Sequence, residues 1–179
     1  MRKIVVAMYL TLDGIMEEPA WTGPYFNDEV GEFQSEAFYA SDALLLGRIT
    51  YEGFAAAWPK MGGDGGFGDR MNSMPKFVAS TTLREMEWNA SLLDGDVVAA
   101  VTQLKQQPGT NLLIYGSGQL VRTLMAHHLI DEYRLMVHPL VLGSGKRLFV
   151  EESRAKLRLV NSRTTSTGVA LLTYEPDQA

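Results

Sequence analysis

Apolar residues fall into three kinds of pattern along this chain, and their order already sketches a fold. Residues 3–12 carry the strand-forming run Ile4, Val5, Val6 and Tyr9 and end on the turn signal Asp13-Gly14. Pro24 is expected to open a helix in which Phe26, Val30, Phe33 and Ala37 recur at near-helical spacing, with Asp28, Glu29, Glu32 and Glu36 on the remaining faces. Residues 42–47 hold the unbroken run Ala43-Leu44-Leu45-Leu46, the mark of a strand covered on both sides in a parallel sheet. Residues 50–58 read as a short helix closed by Pro59, and the glycine-rich stretch 60–75 as a mobile surface loop. A short buried strand is expected at 76–80. A helix follows at 97–107, capped by Asp96 and ended by Gly109. A strand at 112–115 runs into Gly116-Ser117-Gly118, and a helix at 120–128 sets Leu120, Leu124 and His128 on one side. The periodicity then changes to strands alone, at 132–139, 157–165 and 169–175, with Ser166-Thr167-Gly168 turning the last two into an antiparallel hairpin. Alternation followed by strands implies one mixed α/β sheet with helices on both faces.

Composition narrows the classes. At 179 residues and 46% hydrophobic, residues 1–179 are expected to form a single domain with a substantial core. There is no cysteine, which excludes disulfide scaffolds and every Cys-ligated metal centre. Arg2 and Lys3 are followed by only seven apolar or near-apolar residues, too few for a secretory or membrane-spanning segment, so a cytoplasmic protein without membrane contact is expected. The net charge of −5 argues against a nucleic-acid partner. Acids gather in residues 1–42 and bases in 140–163, the latter read as a solvated strand and loop face.

Four segments end strands, where α/β sheets bind ligands. They are Leu12-Asp13-Gly14, Gly47-Arg48-Ile49-Thr50, Ser80-Thr81-Thr82 and Gly116-Ser117-Gly118-Gln119. In the second, helix-start amides, a guanidinium and a hydroxyl would converge on an anion; the fourth is a glycine-rich strand-to-helix turn that lets a pyrophosphate approach backbone amides. Arg48 stands where a cofactor lacking a 2′-phosphate would be met by an acid, which points to NADPH over NADH. Other matches fail. Gly143-Ser144-Gly145-Lys146 lacks the first glycine and the final Ser/Thr of a phosphate loop, and Pro75 denies Ser73-Met74-Pro75-Lys76 its helix. Adjacent His127 and His128 point about 100° apart on a helix, so with His138 in a strand no metal site is expected.

Together with Lys76-Phe77-Val78-Ala79-Ser80-Thr81-Thr82-Leu83, Leu129-Ile130-Asp131-Glu132-Tyr133 and Pro139-Leu140-Val141-Leu142-Gly143-Ser144-Gly145-Lys146-Arg147-Leu148-Phe149, these segments resemble the dihydrofolate reductase-like superfamily. The branch they most resemble is the reductase domain of riboflavin biosynthesis, the C-terminal part of a bifunctional deaminase-reductase. The resemblance implies a three-layer fold with a mixed, mostly parallel sheet of about eight strands, NADPH as cofactor, hydride transfer to a pterin- or aminopyrimidine-type ring, and a homodimer. Position by position it implies cofactor contacts at Gly47, Arg48, Thr50, Ser80, Thr81, Gly116, Ser117, Gly118, Gln119 and Leu120. Asp13 and Gly14 would border nicotinamide and substrate, Trp21 and Tyr25 the substrate, with Asp13 and Asp28 as candidate catalytic acids and a cis peptide at Gly116-Ser117. Without cysteine the zinc deaminase half is not expected within this sequence. Glu17 and Glu18 after the Asp-Gly turn would weaken a ribose-phosphate substrate, which puts the riboflavin pathway itself in question. The competing reading is a non-catalytic, dimeric ligand-binding protein that keeps the fold.

Overall fold

The run Ile4 to Met8 is apolar at every position and every side chain in it is buried, which happens only when both faces of a strand are covered. This strand, β1 (Ile4–Thr11), lies at the centre of the sheet in a computed structural model that describes residues 1–63 and 65–177. Burying each such aliphatic side chain is worth about 1.5–3 kcal/mol, so the central strands anchor the fold. In chain order the elements that follow are α1 (Asp28–Tyr39), β2 (Ser41–Gly47), α2 (Arg48–Ala57), α3 (Phe67–Ser73), β3 (Lys76–Ala79) and β4 (Ala90–Leu92). They continue as α4 (Val97–Gln106), β5 (Asn111–Tyr115), α5 (Gly118–Ala126), β6 (Glu132–His138), β7 (Leu157–Thr164) and β8 (Ala170–Pro176).

The sheet runs β4-β3-β2-β5-β1-β6-β8-β7. Pairings from β4 to β6 are parallel, and β8 and β7 add on antiparallel. This is the dihydrofolate reductase-like architecture, a mixed sheet with a C-terminal antiparallel hairpin. Helices α1, α2 and α3 cover one face through Val30, Phe33, Tyr51 and Met71; α4 and α5 cover the other through Val101, Leu104, Leu120 and Leu124.

Several local expectations are corrected. Pro24 lies inside a separate 3-10 segment, Pro19–Tyr25, and α1 begins only after Asn27, whose side chain accepts the Val30 N–H at 3.1 Å. Phe26 thus precedes the helix and is half-exposed instead of core. Helix α2 starts two residues earlier than expected, at Arg48. The stretch expected to be a mobile loop contains α3, with Met71 and Met74 buried. Asp69 draws the glycines onto that helix by accepting from Gly63 N at 2.6 Å and Gly65 N at 2.5 Å. Asp64 of that stretch, like residues 178–179 of the expected domain, lies outside the described residues. Helix α5 stops at Ala126, and His128, at φ 54°, is exposed beyond it instead of sharing the apolar side. Strand β4 carries no periodic signal because it is a three-residue edge.

Candidate active site at the strand ends

Sheet order brings the four strand-end segments side by side: Ser80 after β3, Gly47 after β2, Gly116 after β5 and Leu12 after β1 are consecutive across the sheet. From β2 the chain leaves to α2 on one face, and from β5 to α5 on the other. Neighbouring strands whose connections part in this way open a crevice at their carboxyl ends.

The crevice is built from residues that tolerate no larger neighbour. Gly47 N donates to Ser117 Oγ at 2.6 Å, and Ser117 Oγ donates to Thr50 Oγ1 at 2.9 Å. A Cβ on Gly47 would lie 2.8 Å from Ser117 Oγ, and one on Gly116 would lie 2.8 Å from Thr50 Oγ1. Gly116 and Ser117 have φ of 64° and 61°, so two successive left-handed residues reverse the chain into α5. That conformation is free for glycine and costs serine about 1–2 kcal/mol, offset by its two hydrogen bonds. The expected cis peptide at Gly116-Ser117 is corrected: no cis bond occurs among the described residues.

The first bond within α5 is Val121 N to Ser117 O, at 3.0 Å. The amides of Gly118, Gln119 and Leu120 therefore have no partner in the helix, and those of Arg48, Ile49 and Thr50 stand in the same positions of α2. Two positive helix ends meet at the Thr50–Ser117 contact, an arrangement suited to a pyrophosphate. Leu120 reaches this site only by its backbone; its side chain is core. Gln119 is exposed. Arg48 forms an exposed i,i+4 pair with Glu52 at 3.0 Å, beside β3. Ser80 Oγ accepts from Thr82 N and Leu83 N, and Thr81 is exposed next to it.

The residues expected to face the substrate divide into two groups. Asp13 accepts from Thr11 Oγ1 at 2.6 Å, Gly143 N at 2.8 Å and Leu142 N at 3.3 Å. Held first by the Thr11 hydroxyl and then by these amides, its pKa is drawn down to about 2. Such a carboxylate pins the loop after β6 onto the end of β1. Gly14 belongs to the same pin, its carbonyl accepting from Leu148 N at 3.0 Å. Glu17 is ion-paired with Lys146 at 3.0 Å, and Glu18 is exposed. Asp28 sits exposed in the first turn of α1.

Trp21 and Tyr25, by contrast, converge. Both meet the ring of His138 edge-on, at 5.2 and 5.8 Å, and Tyr9 joins them at 5.7 Å. His138 is fully buried, and burial lowers its pKa. Tyr9 donates to Gln34 Oε1 at 2.8 Å, while burial pushes its hydroxyl up to about 12. Tyr115 is buried with its hydroxyl unpartnered, and burial raises its pKa too. Sequence reasoning did not single out Tyr9, Tyr115 or His138. The available signal was the two-residue alternation of β6, which sets Arg134, Met136 and His138 on the α1 side of the sheet. Among the described residues no group of three or more His, Asp or Glu could hold a metal ion, and no helix is long and apolar enough to cross a membrane.

This geometry has relatives. The family model of the RibD C-terminal domain matches residues 2–171. The chain belongs to that family. The uncharacterised protein YyaP of Bacillus subtilis (strain 168) is 31% identical to it, over 97% of this chain and 94% of its own length. A solved structure from Shewanella sp. PV-4, assigned to riboflavin biosynthesis, superposes with a TM-score of 0.72 at 23% identity, over 99% of this chain and 100% of that one. Dihydrofolate reductase from Enterococcus faecalis, in complex with NADP(H) and RAB-propyl, superposes with a TM-score of 0.64 at 13% identity, over 98% and 97%. Both structural likenesses concern the fold, which this RibD C-terminal domain shares with them.

Proposed function

We propose that this domain is an NADPH-dependent reductase that transfers a hydride to a pterin- or aminopyrimidine-type heterocycle. The observation that carries the reading is the cradle of Gly47, Thr50, Gly116 and Ser117, where added Cβ atoms would collide and two helix N-termini meet. Residues of this kind fit a dinucleotide, and the NADP(H)-bound dihydrofolate reductase of the same fold supports the choice of cofactor. In this reading the amides of 48–50 and 118–120 hold the pyrophosphate, and Arg48 with Ser80 and Thr81 holds the 2′-phosphate. The bound nicotinamide supplies the hydride. The protein's part is to hold a flat acceptor ring against it and keep water out, so that positioning provides most of the acceleration.

The test is NADPH and NADH titration of the wild type and Arg48→Ala, followed by a pterin and aminopyrimidine screen for loss of reduced-nicotinamide absorbance. Removing a charge-assisted contact costs about 1.5–3 kcal/mol, so NADPH affinity should fall on the order of tenfold or more and NADH affinity hardly at all. Equal loss of both would refute the 2′-phosphate role. A second reading, a binding protein without chemistry, is favoured by one observation: Asp13, the carboxylate nearest the strand end, is fully engaged in pinning a loop. NADPH binding with no turnover on any ring in the screen would decide for it.

A further inference from the structure

Buried polar side-chain atoms without a partner are few among the described residues. Three are Nε atoms of Arg70, Arg134 and Arg163, each on a guanidinium that bonds through another nitrogen. The other two are the Tyr115 hydroxyl and His138 Nε2. For a buried acceptor, having no partner costs about 1–3 kcal/mol, so such an atom calls for an explanation.

The state of the His138 ring follows from its neighbours. Nδ1 lies 2.9 Å from the Met136 carbonyl oxygen and 3.3 Å from that of Leu10. Carbonyls only accept, so Nδ1 carries the proton and donates, and Nε2 on the far side of the neutral ring holds a lone pair. Two of the nearby polar heads are committed elsewhere: Tyr9 donates to Gln34, and the Trp21 indole N–H donates to the Glu17 carbonyl at 3.1 Å. His138 is thus ringed by Tyr9, Trp21 and Tyr25 with its one free acceptor unpaired. Its cover is weakly attached. The Pro19–Tyr25 segment has no buried residue, and among the described residues it is held to distant elements by Thr167 Oγ1 donating to the Tyr25 carbonyl and by the ring contacts of Trp21 and Tyr25 with His138.

We propose that His138 Nε2 accepts a hydrogen bond from a ring-edge N–H of the substrate, and so selects flat heterocycles that carry an amino or lactam N–H. The proposal rests on the reductase reading and deepens it. Trp21 and Tyr25, packed against His138, supply the apolar surroundings for such a ring, while the lone pair admits a donor edge and rejects a carboxylate edge. His138 acts here by positioning and exchanges no proton with the substrate.

The test uses wild-type protein labelled with nitrogen-15 at histidine and loaded with NADPH, with pterin as the probe and exposed His127 and His128 as internal references. Pterin is expected to shift the unprotonated ring nitrogen of His138 and to leave the other two histidines in place. An analogue methylated at the donor nitrogens should bind roughly tenfold more weakly and give no shift, the loss expected for one buried hydrogen bond. His138→Leu should raise the pterin KM by a similar factor with NADPH affinity unchanged, and His138→Gln, which keeps an acceptor, should recover most of it. If pterin is bound or reduced while the His138 nitrogen stays still, the assignment is overturned and the reductase reading stands. The assignment also falls if the NADPH-loaded protein takes up neither pterin nor diaminopyrimidine. Failure to bind NADPH at all would remove the reductase reading and this proposal with it.

Discussion

Replacing Gly47 by alanine tests the cradle most directly. The backbone there has φ −83° and ψ 164°, which alanine adopts without strain, so any penalty must come from the new Cβ. That atom would sit 2.8 Å from Ser117 Oγ and 3.0 Å from Ser117 Cβ, well inside the roughly 3.5 Å of comfortable contact. Ser117 cannot retreat cheaply, because it accepts from Gly47 N and donates to Thr50 Oγ1. Overpacking of this kind costs about 1–3 kcal/mol, and the displaced Gly47 bond adds about 1 kcal/mol. Gly47→Ala should therefore destabilise by about 2–4 kcal/mol. Ser117→Gly removes both clashing atoms; it loses two hydrogen bonds of about 1 kcal/mol each but relieves a left-handed serine worth about 1–2 kcal/mol, so it should be close to neutral. In that background Gly47→Ala should cost nothing, or gain about 0.4–1 kcal/mol through the unfolded chain. Urea unfolding of the four proteins, followed by tryptophan fluorescence, then gives a coupling of about 2 kcal/mol or more. An equal cost of Gly47→Ala in both backgrounds, within about 0.5 kcal/mol, would refute the steric account.

Two further predictions concern charge. Asp13 is held ionised down to about 2 against an ordinary 3.8, so its contribution to stability is present above 3.8 and disappears as the pH falls to about 2. Acid unfolding should show that slope in the wild type and not in Asp13→Asn; parallel curves would mean the loop is pinned by other contacts. Lys76 is buried over the Trp88 ring at 3.9 Å with its amine donating to the Asn72 carbonyl at 3.0 Å, and burial lowers its pKa from 10.5 to about 8. The unfolded chain holds that proton more tightly, so the lysine penalises folding fully below about 8 and releases the penalty between 8 and 10.5. Measured as the difference from Lys76→Met, wild-type stability should rise across this window; a constant difference would show that the amine is solvated.

Most of the architecture could be read from the chain because its elements obey local rules. The central strands carry unbroken apolar runs that only a two-sided burial explains, and Asp96 caps α4 at the expected place, accepting from Ala99 N at 2.9 Å. Misreadings fell where local signal and tertiary need diverge. Glycines hid α3, although Phe67, Met71 and Met74 follow its spacing, and Phe26 matched a helical phase that Asn27 interrupts. On the site, the strand-end glycines and hydroxyls announced themselves by composition, whereas two of Asp13's three partners, Leu142 and Gly143, lie some 130 positions away in the chain and left no local signal.

By itself, then, the sequence determined the alternation of strands and helices, the absence of cysteine chemistry and the four segments that end strands, since each of these is a property of neighbouring residues. Only the tertiary structure decided that β5 inserts between β1 and β2, which sets Ser117 against Gly47 and Thr50. It also placed His138 beneath Trp21 and Tyr25, and bound Asp13 to a distant loop. The reason is one of range: propensity and periodicity act over a few residues, while these contacts join positions about 70 to 130 apart and exist only once the sheet order has been set.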